Sequence, residues 1–393
     1  MDFGPLLGAS IILFTGLAFG KLITFLKLPN VTGYLIGGLI VGPSVFGIVS
    51  GEMVNSLGFI SQIALAFIAF SIGLSFKVNY LKRVGLTPVV IAILEATFAV
   101  LLVQIVLFIA GFDLELVLVL GSIAAATAPA ATVMVIRQYK AKGPVTDMLL
   151  SVVAIDDAIA LVLFGFATTI AQILINPVPS TNLAFSLSKP IVDIFLALLI
   201  GAIVGFLLKY LLKIFTTRGG RLSVLFAGVF LSSGIATTFG VSELLANMAL
   251  GFVLTNISLE SQVMDDMTEF VSPPIYMMFF VLSGAKLQLS IVTSIGLLGV
   301  IYIVFRVIGK ITGASLGAHI MKAPTNVKKY LGPMLIPQAG VAIGLATTAE
   351  TLLPEYSAQI TAVVLVGTLI YELVGPVITK IALQKAREAK VGL

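Results

Sequence analysis

Residues 151–175 have the sequence SVVAIDDAIALVLFGFATTIAQILI, and this stretch decides the fold class. Its only charged residues are Asp156 and Asp157. As a helix rising 1.5 Å per residue, the stretch is long enough to cross the ~30 Å hydrocarbon core of a bilayer. Because every backbone polar group in lipid must be satisfied internally, a run of this length predicts a membrane-spanning helix. Charges at that depth are costly and usually functional.

The rest of the chain has the same character. Of its 393 residues, 59% are hydrophobic and only 10% are charged, whereas soluble domains carry about 25% charged residues. We predict an all-α polytopic protein in contact with membrane lipid. Its thirteen apolar segments cover residues 5–25, 31–49, 57–75, 86–110, 115–136, 146–175, 190–214, 221–239, 241–256, 270–285, 289–320, 328–350 and 357–381. An odd number suggests two inverted six-helix repeats on either side of a linker helix.

Several function classes are excluded by composition. The chain has no cysteine and one histidine, His319, which excludes disulfides, thiolate chemistry and a histidine-rich metal cluster. The net charge of +5 does not indicate a nucleic acid partner, because the basic residues are spread among short loops. No cofactor, cleavable signal peptide or soluble regulatory domain is expected.

Charge asymmetry between alternate loops predicts the orientation. One side of the membrane receives only Lys189 and Lys286. The other receives Lys21, Lys27, Lys77, Lys82, Arg83, Arg137, Lys140, Lys142, Lys209, Lys213, Arg218, Arg221, Lys322, Lys328, Lys329 and the tail from Lys380. The positive-inside rule then places the N-terminus outside and the C-terminus in the cytoplasm. The predicted cytoplasmic loop 256–269 departs from this trend, because it is acidic.

The adjacent acids Asp156 and Asp157 are the strongest candidates for a site. Neighbouring residues on a helix point about 100° apart, so one acid can pair with another helix while the other faces a cavity. A like charge nearby and loss of hydration both favour a protonated carboxyl group, so we expect the pair to bind and release a proton. The alternative is a structural ion-pair cluster with Lys310.

Four further charges stand out within predicted spans, and one of them, Glu372, is interpreted as an interfacial charge near the cytoplasmic end. Arg306 and Lys310 are four residues apart and share a helix face, and we expect Lys310 to pair with Asp156. Arg306 is either a second ion-pair partner or extends toward the membrane interface. Glu95 is either an accessory site residue or a group paired within the bundle.

Two prolines interrupt predicted spans in matching places. Pro129 lies in AAATAPAAT and Pro337 in LIPQAGVAIG, each among small residues. Proline removes a backbone hydrogen bond, and at membrane depth such breaks occur where the backbone is buried in protein or lines a cavity. We therefore expect freed carbonyls near a site, with further oxygens from Thr127, Thr132 and Gln338. The alternative for either proline is a simple kink.

Seven stretches together resemble the second cation:proton antiporter family, which has the sodium/proton antiporter fold. They are LPNVTGYLIGGLIVGPSVFG, SQIALAFIAFSIGL, TAPAAT, AIDDAIALVLF, RVIGKITGASLGA, IPQAGVAIGLA and YELVGPVITKIAL, and they extend in the family's order from residue 28 to residue 383. The resemblance implies that Asp157 is the main cation- and proton-binding carboxylate and that Asp156 is the partner of Lys310. It also implies unwound crossings at Thr127 to Thr132 and at Pro337 to Gly340.

The resemblance further implies a domain organisation and an activity. A transport core would comprise residues 86–175 and 289–381, and a dimerisation part residues 1–75 and 190–256, in a homodimer of a prokaryotic inner membrane. The expected activity is exchange of a monovalent cation, with Na⁺ favoured, for H⁺ by alternating access. Family members with an Asp-Asp pair are generally electrogenic.

Other functions remain as alternatives. Within transporters they are K⁺/H⁺ antiport, K⁺ efflux and organic-anion symport, the last disfavoured by the Asp-Asp pair. An ion channel would conduct without proton coupling. An intramembrane aspartyl protease is disfavoured because adjacent aspartates on one helix cannot flank a scissile bond.

Overall fold

The computed structural model describes residues 4–75, 77–78, 85–175, 183–258, 261–287 and 295–389, and within them the regular structure is helical. The α-helices are α1 (Pro5–Phe25), α2 (Asn30–Val41), α3 (Gly51–Ser56), α4 (Gly58–Ser75), α5 (Thr87–Ile109), α6 (Leu114–Ile123), α7 (Pro129–Gln138), α8 (Pro144–Ile175), α9 (Leu183–Ile214), α10 (Arg218–Thr238), α11 (Glu243–Ile257), α12 (Ser261–Ala285), α13 (Gly296–Ile320), α14 (Thr325–Tyr330), α15 (Gly340–Leu352) and α16 (Ser357–Lys385). Short 3₁₀ turns cover Gly332–Leu335 and Pro354–Tyr356.

Seven helices in the described part are long and apolar enough to cross a membrane. They are α1, α5, α8, α9, α10, α13 and α16, while α2, α4, α6 and α11 are shorter apolar helices. The all-helical membrane architecture agrees with the sequence. The count of thirteen spans and the inverted repeat stay predictions.

Both proline-containing segments are interrupted. The predicted span 115–136 divides into α6 and α7 around residues 124–128. Pro129 is the first residue of α7, and proline is tolerated there because a backbone N–H at that position makes no hydrogen bond within the helix. The predicted span 328–350 divides into α14, a 3₁₀ turn and α15, with Pro337 in the non-helical stretch 336–339. The chain thus has two broken segments.

Other predicted boundaries differ from the structure. The helix predicted over 31–49 ends at Val41, where Gly42 and Pro43 follow. The loop predicted over 256–269 is mostly helical, because α12 begins at Ser261, nine residues before the predicted start, and includes acidic residues of good or moderate helix propensity. Residues 289–294, Lys82 and Arg83, which also entered the predictions, lie outside the described residues.

The chain forms two compact units. One comprises residues 1–54, 86–187 and 280–393, and the other residues 55–85 and 188–279. These bounds differ from the predicted division, which grouped residues 1–75 with 190–256. Residues 1–54 belong to the first unit because α2 packs against α7 and α16. The functional assignment of a transport core and a dimerisation part stays a prediction.

In the smaller unit, α4 packs closely against α11. Gly73 of α4 lies against the backbone of α11 at Met248, and Gly251 of α11 lies against the backbone of α4 at Phe70. Reciprocal glycines of this kind allow two membrane helices to approach at backbone distance.

In the larger unit, α5 and α13 meet along three glycines of α13. A Cβ atom at Gly309 would come within 2.5 Å of the Ala99 Cα atom, and one at Gly313 within 2.7 Å of the Glu95 Cα atom. Gly317 meets Ile91 in the same way. The two backbones therefore touch, and Glu95 of α5 is brought to the face of α13 that carries Lys310.

The first turn of α8 is capped by the segment that follows α16. The Glu388 carboxylate accepts hydrogen bonds of 2.8 Å from the backbone N–H groups of Val145 and Thr146 and from the Thr146 hydroxyl. A carboxylate at a helix N-terminus satisfies free N–H groups and interacts favourably with the helix dipole. The segment after α16 thereby fixes the end of the helix that carries Asp156 and Asp157.

We predict that Glu388→Ala destabilises the protein by about 1.5–3 kcal/mol, the usual contribution of hydrogen bonds to a charged group. Two backbone N–H groups at the start of α8 would lose their acceptor. Thermal unfolding of the purified variant in detergent measures the effect. Glu355→Ala, at an exposed glutamate, is the matched control, and equal unfolding midpoints for the two variants would contradict the capping role.

Candidate functional site

The two broken segments touch each other through their backbones. The Ala128 N–H donates a 2.8 Å hydrogen bond to the Pro337 carbonyl oxygen. The Thr132 hydroxyl donates a longer one, of 3.4 Å, to the Met334 carbonyl oxygen. The predicted breaks at Pro129 and Pro337 are therefore brought together at one crossing within the larger unit.

Arg306 binds the carbonyl groups that the two breaks set free. Its guanidinium donates to the carbonyl oxygens of Ala124 at 3.1 Å, Ala126 at 2.6 Å and Ile336 at 2.7 Å. The side chain is fully buried, and its guanidinium carbon lies 4.6 Å from the centroid of the Tyr371 ring. Arg306 therefore neither pairs with an acid nor reaches the interface, because the carbonyls of both segments occupy its donors. This corrects its prediction as an ion-pair partner.

Gln338 ties the second break to the end of α6. Its Nε2 atom donates to the Ile123 carbonyl oxygen at 2.9 Å, and its Oε1 atom lies 3.1 Å from the Tyr302 hydroxyl, which donates to it. The amide is fully buried. Gln338 thus stabilises the crossing of the two broken segments. Gly340, in contrast, is exposed at the first residue of α15.

Lys310 is surrounded by oxygen atoms. Its Nζ atom lies 2.7 Å from Glu95 Oε2 and 3.3 Å from Asp156 Oδ2. It also donates a 2.7 Å hydrogen bond to the Thr127 hydroxyl oxygen and another to the Ala125 carbonyl oxygen. The structure brings Lys310 and Asp156 together as the sequence predicts, and it adds Glu95 as the closer carboxylate. All three charged groups are fully buried.

The surroundings of Asp157 differ from those of the adjacent Asp156. Its side chain is 3% exposed, and its Oδ1 atom has no hydrogen-bond partner among the described residues. The ammonium of Lys310 contacts Asp156 and not Asp157. Asp156 is therefore paired with Lys310 through Oδ2, whereas Asp157 is not paired with it, and the Oδ1 atoms of both acids have no hydrogen-bond partner among the described residues.

The hydroxyl groups of Thr127 and Thr132 are both engaged in hydrogen bonds. Thr127 accepts a hydrogen bond from Lys310, which leaves one lone pair on its hydroxyl oxygen. Thr132 keeps both lone pairs while it donates its proton. The part that Asp157 and these hydroxyl groups take in binding a cation stays a prediction.

The chain is similar over nearly its whole length to a known family of membrane proteins. A family model described as "Sodium/hydrogen exchanger, transmembrane" matches residues 9–385. This chain belongs to the sodium/hydrogen exchanger family. The resemblance inferred from sequence is confirmed, and so are the expectations of an integral membrane protein and of a transporter in place of an enzyme.

Two curated relatives in the exchanger family come from Bacillus cereus. The probable Na⁺/H⁺ antiporter GerT is 24% identical, with 87% of this chain and 89% of GerT covered. The Na⁺/H⁺-K⁺ antiporter GerN is 25% identical, with 92% of each covered. Among solved structures, the sodium proton antiporter MjNhaP1 from Methanocaldococcus jannaschii shares the fold, with a TM-score of 0.75 at 18% identity over 97% of this chain and 98% of that one.

Sequence reasoning missed two features of this exchanger's site. Both Arg306 and Glu95 were visible as charges in spans, but their partners were not. The signal for Arg306 was its place one turn before Lys310 combined with two helix breaks, because freed carbonyls buried in lipid need donors. For Glu95 the signal was the glycine series on α13, which allows α5 to approach.

We predict that Arg306→Lys lowers the thermal stability of this exchanger although the charge is kept. An ammonium cannot reproduce the fork of the guanidinium, so at least one of the three carbonyls loses its donor, at a cost of about 1.5–3 kcal/mol for each bond. Thermal unfolding in detergent checks this. Arg218→Lys, at an exposed arginine at the start of α10, is the matched control, and an unchanged midpoint for Arg306→Lys would sink the assignment.

Proposed function

We propose that the protein exchanges Na⁺ for H⁺ across the membrane and that the two ions compete for Asp157. The observation that carries the proposal is the division of the adjacent acids. Asp156 forms a salt bridge with Lys310, whereas Asp157 is buried without one among the described residues. Membership of the sodium/hydrogen exchanger family supports the cation and the proton as substrates.

Competition follows from the electrostatics of a buried carboxylate. A bare charge in a poorly hydrated interior is unfavourable, and either a proton or a cation neutralises Asp157. Hard cations bind oxygen ligands, and the carboxylate with the Thr132 and Thr127 hydroxyl oxygens would replace part of the lost hydration. Because one ligand excludes the other, binding alternates.

Transport in this proposal is by alternating access. The neutralised site moves between the two sides, and the bare, charged site resists the movement. We propose that residues 86–175 and 289–381 carry the site past residues 1–75 and 190–256, in a homodimer related to the inverted-repeat antiporters. The protein would lie in a prokaryotic inner membrane with its N-terminus outside and its C-terminus in the cytoplasm.

The second candidate is K⁺/H⁺ exchange or K⁺ efflux. The name of GerN includes K⁺ beside Na⁺, so the family's relatives are not limited to one cation. We favour Na⁺ because GerT and MjNhaP1 are both described as sodium antiporters. The choice rests on the size of the site, which is set by the arrangement of oxygens around Asp157.

We predict that Asp157→Asn abolishes cation-dependent proton movement while the protein stays folded. The amide has nearly the shape of the carboxylate but no charge for a cation or proton to neutralise. In everted membrane vesicles that hold a pH gradient, addition of Na⁺ should dissipate the gradient for the unmodified protein and leave it intact for the variant.

Asp147→Asn is the matched control, because Asp147 is an exposed aspartate in the first turn of the same helix. It should retain exchange. Dissipation of the gradient by Na⁺ or K⁺ in Asp157→Asn vesicles would refute competition at Asp157.

We also predict that Na⁺ and Li⁺ dissipate the gradient at lower concentration than K⁺, because a small cation is better matched to few ligands. Purified protein in liposomes, with the pH and cation gradients set independently, gives the reversal potential for each ion. A potential that follows both gradients indicates exchange and yields the stoichiometry. One that follows the cation gradient alone indicates a channel, and a preference for K⁺ supports the second candidate.

A further inference from the structure

The last helix carries a row of polar side chains on one face. Thr361, Thr368, Glu372 and Thr379 are separated by seven, four and seven residues, which is the spacing of a single helix face. Thr368, Glu372 and Thr379 are buried. Their side-chain oxygens, including Glu372 Oε1, have no hydrogen-bond partner among the described residues.

The backbone carbonyl of Glu372 also lacks its usual donor in the helix. Pro376 lies inside α16 and has no N–H to donate to the carbonyl four residues earlier, which is that of Glu372. The Glu372 carbonyl oxygen therefore lacks the donor that a regular helix supplies, and Oε1 of the same residue has no hydrogen-bond partner among the described residues. Burial of such oxygen atoms inside a membrane protein is energetically unfavourable unless a ligand binds to them.

No charged group compensates Glu372. The charged and titratable side chains on α16 and on the elements packed against it, within the described residues, are Tyr34, Arg137, Tyr302, Arg306, Lys310, His319, Lys328, Lys329, Tyr330, Glu350, Glu355, Tyr356, Tyr371, Lys380 and Lys385. None of them donates a hydrogen bond to Glu372 Oε1. Arg306 is occupied by carbonyls and Lys310 by Glu95 and Asp156.

The ligand that fits this position is a proton. A monovalent cation requires several converging oxygens, whereas one proton neutralises an isolated carboxylate. We propose that Glu372 is a second proton-binding site that loads and unloads independently of Asp157. This rests on the proposed exchange only for its place in the transport cycle, because proton binding itself can be measured without transport.

Glu372 is placed where its charge would affect the crossing. Its neighbour Tyr371 lies under the Arg306 guanidinium. One turn later, a Cβ atom at Gly375 would come within 2.6 Å of Pro337 Cγ, so α16 lies directly against the second break. Proton loss at Glu372 would leave a charge between these two contacts.

The polar row extends from Glu372 to a half-buried threonine near the start of α16. Thr361 is half-buried and donates a hydrogen bond to Glu350 of α15. It lies about 16 Å along the helix from Glu372, at 1.5 Å per residue, and Thr368 lies between them on the same face. The row therefore extends from the buried carboxyl group to a half-buried part of the helix, although its hydroxyl groups are too far apart along the helix to hydrogen bond directly to one another.

Infrared difference spectroscopy of the purified protein during a pH titration tests the proposal, because a protonated carboxyl group has a C=O stretching band that the carboxylate lacks. The measurement uses the Asp157→Asn background, in which Asp157 cannot contribute. We expect a carboxyl band that disappears as the pH rises and that is missing at all pH values in the double variant Asp157→Asn/Glu372→Gln.

Two results would overturn the proposal. Identical spectra for the single and double variants would show that Glu372 binds no proton, and a Glu372 band of constant intensity at every pH would show a permanently neutral structural group. Glu355→Gln, at an exposed glutamate, is the control and should remove signal only at acid pH, where a solvated glutamate takes up its proton. Should Glu372→Gln fail to fold, Glu372→Asp is used, which keeps the carboxyl group and should move the band.

The experiment separates this proposal from the proposed exchange. Continued Na⁺-driven flux in Asp157→Asn vesicles would refute the exchange mechanism at Asp157 and leave the infrared result intact. Loss of flux in that variant, together with the absence of a Glu372 band, would refute the second proton site alone.

Discussion

The structure of the site depends on one requirement, that backbone carbonyl groups released by a helix break inside a membrane must find donors within the protein. An unsatisfied group there costs several kcal/mol because water is absent. The carbonyls of Ala124, Ala126 and Ile336 bind Arg306, and that of Ala125 binds Lys310. Two cations on one face of α13 therefore hold both broken segments in place.

The same requirement determines how the acids are used. Two positive charges in a buried crossing need compensation, and the negative end of the α6 dipole supplies part of it at Arg306. Lys310 takes its compensation from Glu95 and Asp156. Asp157 makes no salt bridge with Lys310 in the described structure, so in the proposed function a proton or a cation binds at Asp157 while Asp156 stays paired.

The sequence predicted the features that depend on local chemistry. Run length indicated membrane helices, proline indicated the two breaks, and helix geometry indicated that Asp156 and Asp157 would point apart. The pairing of Lys310 with Asp156 also followed, because a deep cation requires an acid. The partners of Arg306 and Glu95 could not be predicted from the sequence. Groups that are nearly two hundred residues apart, such as the Ala124 carbonyl and Arg306, meet only through tertiary packing. The early start of α12 was missed for the same reason.

The glycines along α13 have a further consequence for this charge balance. Gly309 and Gly313 set the contact of α5 with α13 at backbone distance, and Glu95 reaches Lys310 from across that seam. Gly309, Gly313 and Gly317 each face the backbone of α5. A shift of one helix along the other would move larger side chains into these contacts. The contact between Glu95 and Lys310 therefore depends on residues that carry no side chain. A methyl group added at one of these glycines would push α5 away from α13 and weaken that contact.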